Sequence, residues 1–316
     1  MNIKKILENL DPFTQCRRHH LKAIECPGFL FILMGLLTLL AMSGTYLLAE
    51  EYYNPEVVVS SVSLVAIIIF VLGNFIIRGV EKMTETAIIK NEFISVVSHQ
   101  LKSPLTNFKW PLELLAAQKL GALNEKQLAY LKDLQENNNR MIKLVNDLLD
   151  VSRIEDGRMK IKPQNINLEK IARLVAKDFS NLAKANNVEI VLNADENLPL
   201  VNVDPDRIRS VIQNLVDNAV KYSKSKGKIK IILKQERNKF CFRIKDSGVG
   251  IPRKQQKQIF TKFFRSDNVL KRQTEGTGLG LFIVKAIIQS SGGKIGFFSE
   301  ENKGTTFWFS LPIAKE

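Results

Sequence analysis

Three short stretches carry residue types and spacings suited to phosphate chemistry. In "QNLVDNAVKYS" (Gln213–Ser223) Asn214 and Asn218 stand four apart, with Lys221 following. On a helix that spacing puts all three on one face. Carboxamide oxygens suit Mg²⁺, which takes oxygen ligands together with substrate phosphates; alone, two asparagines on a helix are more often surface or capping residues. In "DSGVGIP" Asp246 ends a strand-like run, where its carboxylate can accept from an amino group, and Gly248 and Gly250 permit a sharp turn against a ligand. The same letters are also common turn chemistry. "GTGLGL" (Gly276–Leu281) opens an apolar helical run, and glycines there leave amides free at the positive end of a helix dipole, a seat for phosphate. It lacks the Lys-Ser/Thr ending of a P-loop and is not a Rossmann fingerprint. A fourth stretch, "FISVVSHQLKSPLTNF", sets His99 in a helical, apolar-periodic run. Alone, such a histidine is a polar surface residue or a nucleophile, and the stretch itself does not choose.

The elements that must position these residues fall into three regions. Phe29–Ala49 and Val57–Ile77 contain no charged residue. Each is about twenty residues, enough to cross ~30 Å of hydrocarbon as a helix. The first run starts too late and is too long for a cleaved leader. Lys4, Lys5, Arg17, Arg18 and Lys22 precede the pair and Arg78 and Lys82 follow it, while the connection "EEYYNPE" is acidic. That asymmetry places both ends in the cytoplasm, with Tyr52 and Tyr53 at the outer interface and no room outside for a sensory domain. The expected layout is an N-terminal cytoplasmic segment (1–28), a transmembrane hairpin (29–77), a linker helix and helical hairpin (78–157), and a globular domain (158–316).

From Val80 to Gln118 the pattern is helical, with breaks or kinks expected near Pro104 and Pro111. After Gly121, Asn124 can cap a second helix whose Leu128, Leu131, Leu134, Met141, Leu144, Val145 and Leu148 form a wide apolar face. Two over-hydrophobic helices suggest a hairpin that dimerises into a four-helix bundle, or one that packs on the following domain. Beyond Gly157, alternating runs such as "VEIVLNA", "KIKIILKQE", "KFCFRIKD" and "TTFWFSLP" mix with helical runs at 167–185, 204–222 and 277–290, an α/β layered domain.

Composition narrows the partners. Lys and Arg total 46 against 32 Asp and Glu, a formal charge of +14. That suits an anionic membrane surface or a phosphorylated ligand; basic residues are not interleaved with aromatics, so nucleic acid is not expected. Cys16, Cys26 and Cys241 have no metal-ligand spacing and read as free thiols. The stretch "RKQQKQIFTKFFRSDNVLKRQTE" has the basic, polar character of a mobile lid.

Taken in order, the histidine stretch, the asparagine helix, "DSGVGIP", "IFTKFFR" and "GTGLGL" resemble the sensor histidine kinases of bacterial two-component systems, over about Lys82–Pro312. The resemblance implies an α/β sandwich ATP-binding fold of the Bergerat type following a dimeric four-helix bundle. It implies ATP and Mg²⁺ as cofactors, a homodimer, a bilayer in the bacterial inner membrane, and a separate response regulator whose receiver aspartate takes the phosphoryl group. By the same resemblance His99 is the phosphorylated residue and Asn218 the Mg²⁺ ligand, with Asn214 its partner. Lys221 touches phosphate and Tyr222 lies against adenine, which Asp246 reads, with Gly248 and Gly250 lining the pocket. Phe260, Phe263 and Phe264 match the phenylalanine box and Arg265 an arginine that reaches the γ-phosphate. Gly276, Gly278 and Gly280, with Thr277 and Leu279 between them, match the glycine box at the lid's hinge.

With an ATP site on the same chain, His99 becomes a nucleophile, since an imidazole nitrogen with a free lone pair can attack a phosphoryl group. The sequence departs from the family where an acidic residue usually follows the histidine, since Gln100 can orient the ring but cannot hold its proton. Ser103 stands where members often place a threonine or asparagine that positions water for dephosphorylating the regulator. The alternatives are an ATPase of the same fold that spares the histidine, and a catalytically silent membrane adaptor.

Overall fold

The computed structural model describes residues 26–50, 54–224, 226–266 and 276–314. The basic N-terminal segment with Cys16, His19 and His20, the interfacial Tyr52 and Tyr53, and residues 267–275 of the expected lid lie outside them. The chain divides into two compact units, 1–97 with 155–157, and 98–154 with 158–316.

In the first unit, α1 (Pro27–Glu50) and the N-terminal part of α2 (Pro55–Ala116) are the two apolar runs. Both are long and apolar enough to cross a membrane. Their large side chains face outward: Phe31, Leu39, Phe70 and Phe75 are all exposed. Hydroxyls are satisfied on their own helix, Thr38 donating to Met34 O at 2.8 Å and Thr45 to Ala41 O at 2.7 Å, so neither is left bare in an apolar solvent. Met34 of α1 occupies the space that a side chain at Gly73 of α2 would fill, so a small residue lets the two helices approach closely. Cys26 is disulfide-bonded, against the expectation of free thiols; scattered positions in a sequence say nothing of pairing in space. Cys241 is free.

The expected break at the prolines does not occur: α2 runs through Pro104 and Pro111. Each proline removes one amide donor, to the carbonyls of Gln100 and Asn107, and both lie on exposed positions where water can satisfy what is freed. α3 (Glu125–Glu155) returns along α2. Asn124 starts it with a reciprocal capping box: its side chain accepts from Gln127 N while its own N–H donates to Gln127 Oε1, both at 2.9 Å. Two amides tie the hairpin, Asn138 Nδ2 donating to Leu105 O at 3.0 Å and Gln135 Nε2 to Leu112 O at 3.1 Å.

The α/β part contains β1 (Gln164–Ile166), α4 (Leu168–Asp178), α5 (Ser180–Ala185), β2 (Val188–Ala194), β3 (Val201–Val203), α6 (Pro205–Tyr222), β4 (Gly227–Glu236), β5 (Lys239–Lys245), α7 (Gly280–Ser290), β6 (Lys294–Glu300) and β7 (Gly304–Pro312). β1 and β3 form a small antiparallel ladder; the main sheet has the order β2-β4-β5-β7-β6, parallel at β2–β4 and antiparallel elsewhere. β4 and β5 alternate strictly. Ile229, Ile231, Leu233, Phe240, Phe242 and Ile244 are buried while Lys228, Lys230, Lys239, Arg243 and Lys245 are exposed, so one face is covered and the other solvated. Phe242 and Phe309, opposite each other in register, stack at 4.7 Å. α6 packs its buried Ile208, Val211, Ile212 and Leu215 into this core, each worth ~1.5–3 kcal/mol on burial. Asp204 fixes where α6 starts, its Oδ1 accepting from Asp206 N and Arg207 N at 3.1 Å and its Oδ2 from Lys162 N at 2.9 Å.

Candidate nucleotide site

α6 leaves the core with its polar face turned to a cavity of about 320 Å³. Asn214, Asn218, Lys221 and Tyr222 of α6 line it, joined by Asp246, Gly250, Arg265, Gly276, Thr277, Gly278 and Gly280. Residues up to 66 positions apart therefore converge because β5 delivers Asp246 beside α6, and α7 packs along α6 with its N-terminal end at the same mouth.

Each wall has a stated chemistry. The Asn214 amide donates to Ser210 O at 3.0 Å, which orients its oxygen as the ligand end; Gly280 lies against that oxygen, where a Cβ would stand 3.0 Å away. Asn218 sits one turn further on, half-buried in the wall. Two neutral amide oxygens beside a cavity fit the donor set of Mg²⁺. Among the described residues no side chain caps the start of α7, and an uncapped helix start suits an anion. Gly278 has φ +70° and its added Cβ would meet the Phe263 backbone at 2.7 Å, so both conformation and space require glycine. Thr277 Oγ1 accepts from Leu279 N at 3.2 Å, tightening the turn into α7.

Asp246 is buried, and its Oδ1 accepts from Gly248 N at 2.8 Å and Thr305 N at 3.1 Å. Burial pushes its carboxyl above the usual carboxylate range against the pull of those amides. Among the described residues its Oδ2 accepts no bond from another residue, which leaves an acceptor for an exocyclic amine. Burial also raises the Tyr222 hydroxyl, with Arg265 opposing.

Three of the expected contacts lie outside the lining. Gly248 packs against Tyr222 O behind the wall, Leu279 is buried in the core, and Phe260 meets Phe297 edge-on at 6.0 Å. Phe264 lines the cavity; Phe263 is exposed. His99, Gln100 and Ser103 are exposed on α2, and none belongs to the cavity lining.

Sequence reasoning missed the wall supplied by α3: Arg140, Lys143, Leu144 and Asp147 line the same cavity as the asparagines. Lys143 Nζ reaches Asp217 Oδ2 at 3.3 Å, the oxygen that also accepts from Lys221 Nζ at 2.7 Å. Burial pushes the Asp147 carboxyl up to about 6, Lys143 and the Thr277 hydroxyl opposing and Asp150 and Asp217 adding to the rise. A signal existed: Arg140, Lys143 and Asp147 stand three and four apart, a polar stripe beside the apolar one.

Residues 203–315 match the family model "Histidine kinase-, DNA gyrase B-, and HSP90-like ATPase", and residues 89–157 match "His Kinase A (phospho-acceptor) domain". The chain is 36% identical over 240 residues to the sensor histidine kinase WalK of Bacillus subtilis, covering 75% of this chain and 38% of that one. It is 32% identical over 225 residues to the circadian input-output histidine kinase CikA of Synechococcus elongatus, covering 71% of this chain and 30% of that one. The structure of full-length ShkA in complex with AMPPNP matches with a TM-score of 0.59 at 28% identity, over 71% of this chain and 46% of the other. The chain thus spans less than half the length of each of these relatives.

Proposed function

Because the chain belongs to the histidine kinases, we propose that it is a membrane-bound enzyme that transfers the γ-phosphoryl group of ATP to His99 and then to an aspartate of a separate response regulator. The observation that carries this reading is the cavity itself, where amide oxygens, a lysine, an arginine and an uncapped helix start meet an isolated acceptor on Asp246. Adenine would lie by Asp246 and Tyr222, and the phosphates by Lys221, Arg265 and the amides at Gly278 and Gly280. Asn218, with Asn214 behind it, would hold Mg²⁺, which when bound offsets phosphate charge.

In the transfer a ring nitrogen of His99 forms a bond to the γ-phosphorus, the bond to the β–γ bridging oxygen breaks, and ADP departs. Gln100 orients the ring through its amide, and the ring proton leaves to water. Positioning and fixed positive charge supply most of the acceleration. Since His99 lies outside the cavity lining while α3 forms one wall, the transfer requires an arrangement in which α3 has given way or a second copy supplies the histidine. The exposed Leu101, Phe108, Leu134 and Met141 on the hairpin suit burial in a homodimer. The two apolar helices would anchor the chain in the bacterial inner membrane with both termini cytoplasmic. Ser103 would place water for dephosphorylating the regulator.

The test is label transfer from γ-³²P ATP with Mg²⁺ to full-length wild type and His99→Ala. Acid-labile, base-stable label lost in the variant is expected. ATP turnover without label would favour an ATPase of the same fold, and neither label nor turnover would favour a silent adaptor.

A further inference from the structure

Lys221 is not simply presented to the cavity. Asp217 holds its ammonium at 2.7 Å on an oxygen shared with Lys143, 3.3 Å away on α3. Asp217 is the most enclosed of the three, its side chain 14% exposed against 28% for Lys221 and 51% for Lys143. A carboxylate one residue before Asn218 is an unfavourable neighbour for a polyphosphate. Paired with Lys221 alone, it would cancel the charge on which the phosphates depend. With Lys143 added, two ammonium groups share one carboxylate and the cluster keeps one net positive charge.

Resting on the nucleotide-site reading above, we propose that Lys143 is a positioning residue for that site, acting through Asp217 to free Lys221 for the nucleotide phosphates. The hairpin helix α3 thereby supplies charge to the site of the α/β part, and nucleotide binding is strengthened while α3 is docked. Linkage makes the effect mutual: bound nucleotide favours the docked helix by the same factor. Lys221 is fixed on α6 and Lys143 on α3, so the coupling exists only while the two helices are in contact.

The experiment measures the affinity of full-length protein in nanodiscs for a fluorescent, non-hydrolysable ATP analogue with Mg²⁺, so turnover plays no part. Thermal melts check that each variant is folded. Lys143→Met should weaken binding about three- to fivefold, the scale of a partly exposed ion pair, and Lys143→Arg should restore it. Asp217→Asn should bind as tightly as wild type or tighter. Adding Lys143→Met to Asp217→Asn should cost nothing further, because the carboxylate to be neutralised is gone. An equal loss in both backgrounds would overturn the inference, since Lys143 would then act without Asp217. So would an unchanged affinity for Lys143→Met, or an Asp217→Asn loss as large as that of Lys221→Met. Failure of the wild type to bind the analogue would instead remove the nucleotide-site reading.

Discussion

Arg207 Nη1, at the start of α6, donates to both carboxylate oxygens of Asp150 on α3, at 2.9 and 2.8 Å. The two side chains are 23% and 19% exposed, so the pair is sheltered enough that removing one partner leaves a charge poorly solvated. It joins the helix that carries the asparagines to the hairpin that carries His99.

Arg207→Ala should therefore loosen α3 from the α/β part, at a cost of about 1–3 kcal/mol. Hydrogen exchange across residues 140–154 should rise, and the reciprocal swap Arg207→Asp with Asp150→Arg should recover part of the protection. Exchange that stays at the wild-type level would show that apolar packing alone holds the helix.

Asp147 gives the docked state a pH dependence of definite sign. Its folded pKa, raised from 3.8 to about 6, exceeds the unfolded value, so ionisation opposes the fold. The penalty is absent below pH 4, grows between 4 and 6, and is complete above 6, at an upper bound of about 3 kcal/mol. Asp147→Asn keeps an acceptor for Thr277 and cannot ionise. Its melting temperature should exceed that of wild type by more at pH 7.5 than at pH 5. A gap equal at both values would exclude the carboxylate as the source.

Gly278→Ala places a Cβ against the Phe263 backbone in a left-handed conformation, at ~1–3 kcal/mol of strain. The hinge into α7 should shift and nucleotide retention should fall by about tenfold or more. A crystal structure of the variant with the turn unmoved and affinity intact would refute that requirement.

Gln100→Glu tests the missing base. General-base help is worth ~10²–10⁴ in rate, so the variant should autophosphorylate at least about tenfold faster at neutral pH in a single-turnover label assay. A rate equal to or below that of wild type would mean that proton removal does not limit the step.

The alternation of β4 and β5, the apolar runs of α1 and α2, and the helix cap at Asn124 were all legible in the sequence. Each is a local pattern, in which side-chain period or the reach of one side chain decides the outcome. The strand β3, three residues long, was not legible, since its pairing with β1 depends on partners distant in the chain. The break expected at Pro104 and Pro111 failed for a related reason. Their local cost is real, but a long helix in which each removes one bond tolerates them at exposed positions.

The proposed nucleotide site divides along the same line. Asn214, Asn218, Asp246 and the glycines stand out by their own motifs, because the metal, amine and phosphate proposed for them would each demand particular atoms at fixed spacing. Phe260 shares such a motif, yet it packs on Phe297 away from the cavity. The sequence by itself determined the chemistry available and the helices and strands that carry it. Tertiary structure alone decided that α3 walls the cavity, that Lys143 and Lys221 share one carboxylate, and that His99 stands apart from the lining. Charge sharing and burial depend on distances between segments, and no spacing along the chain encodes those.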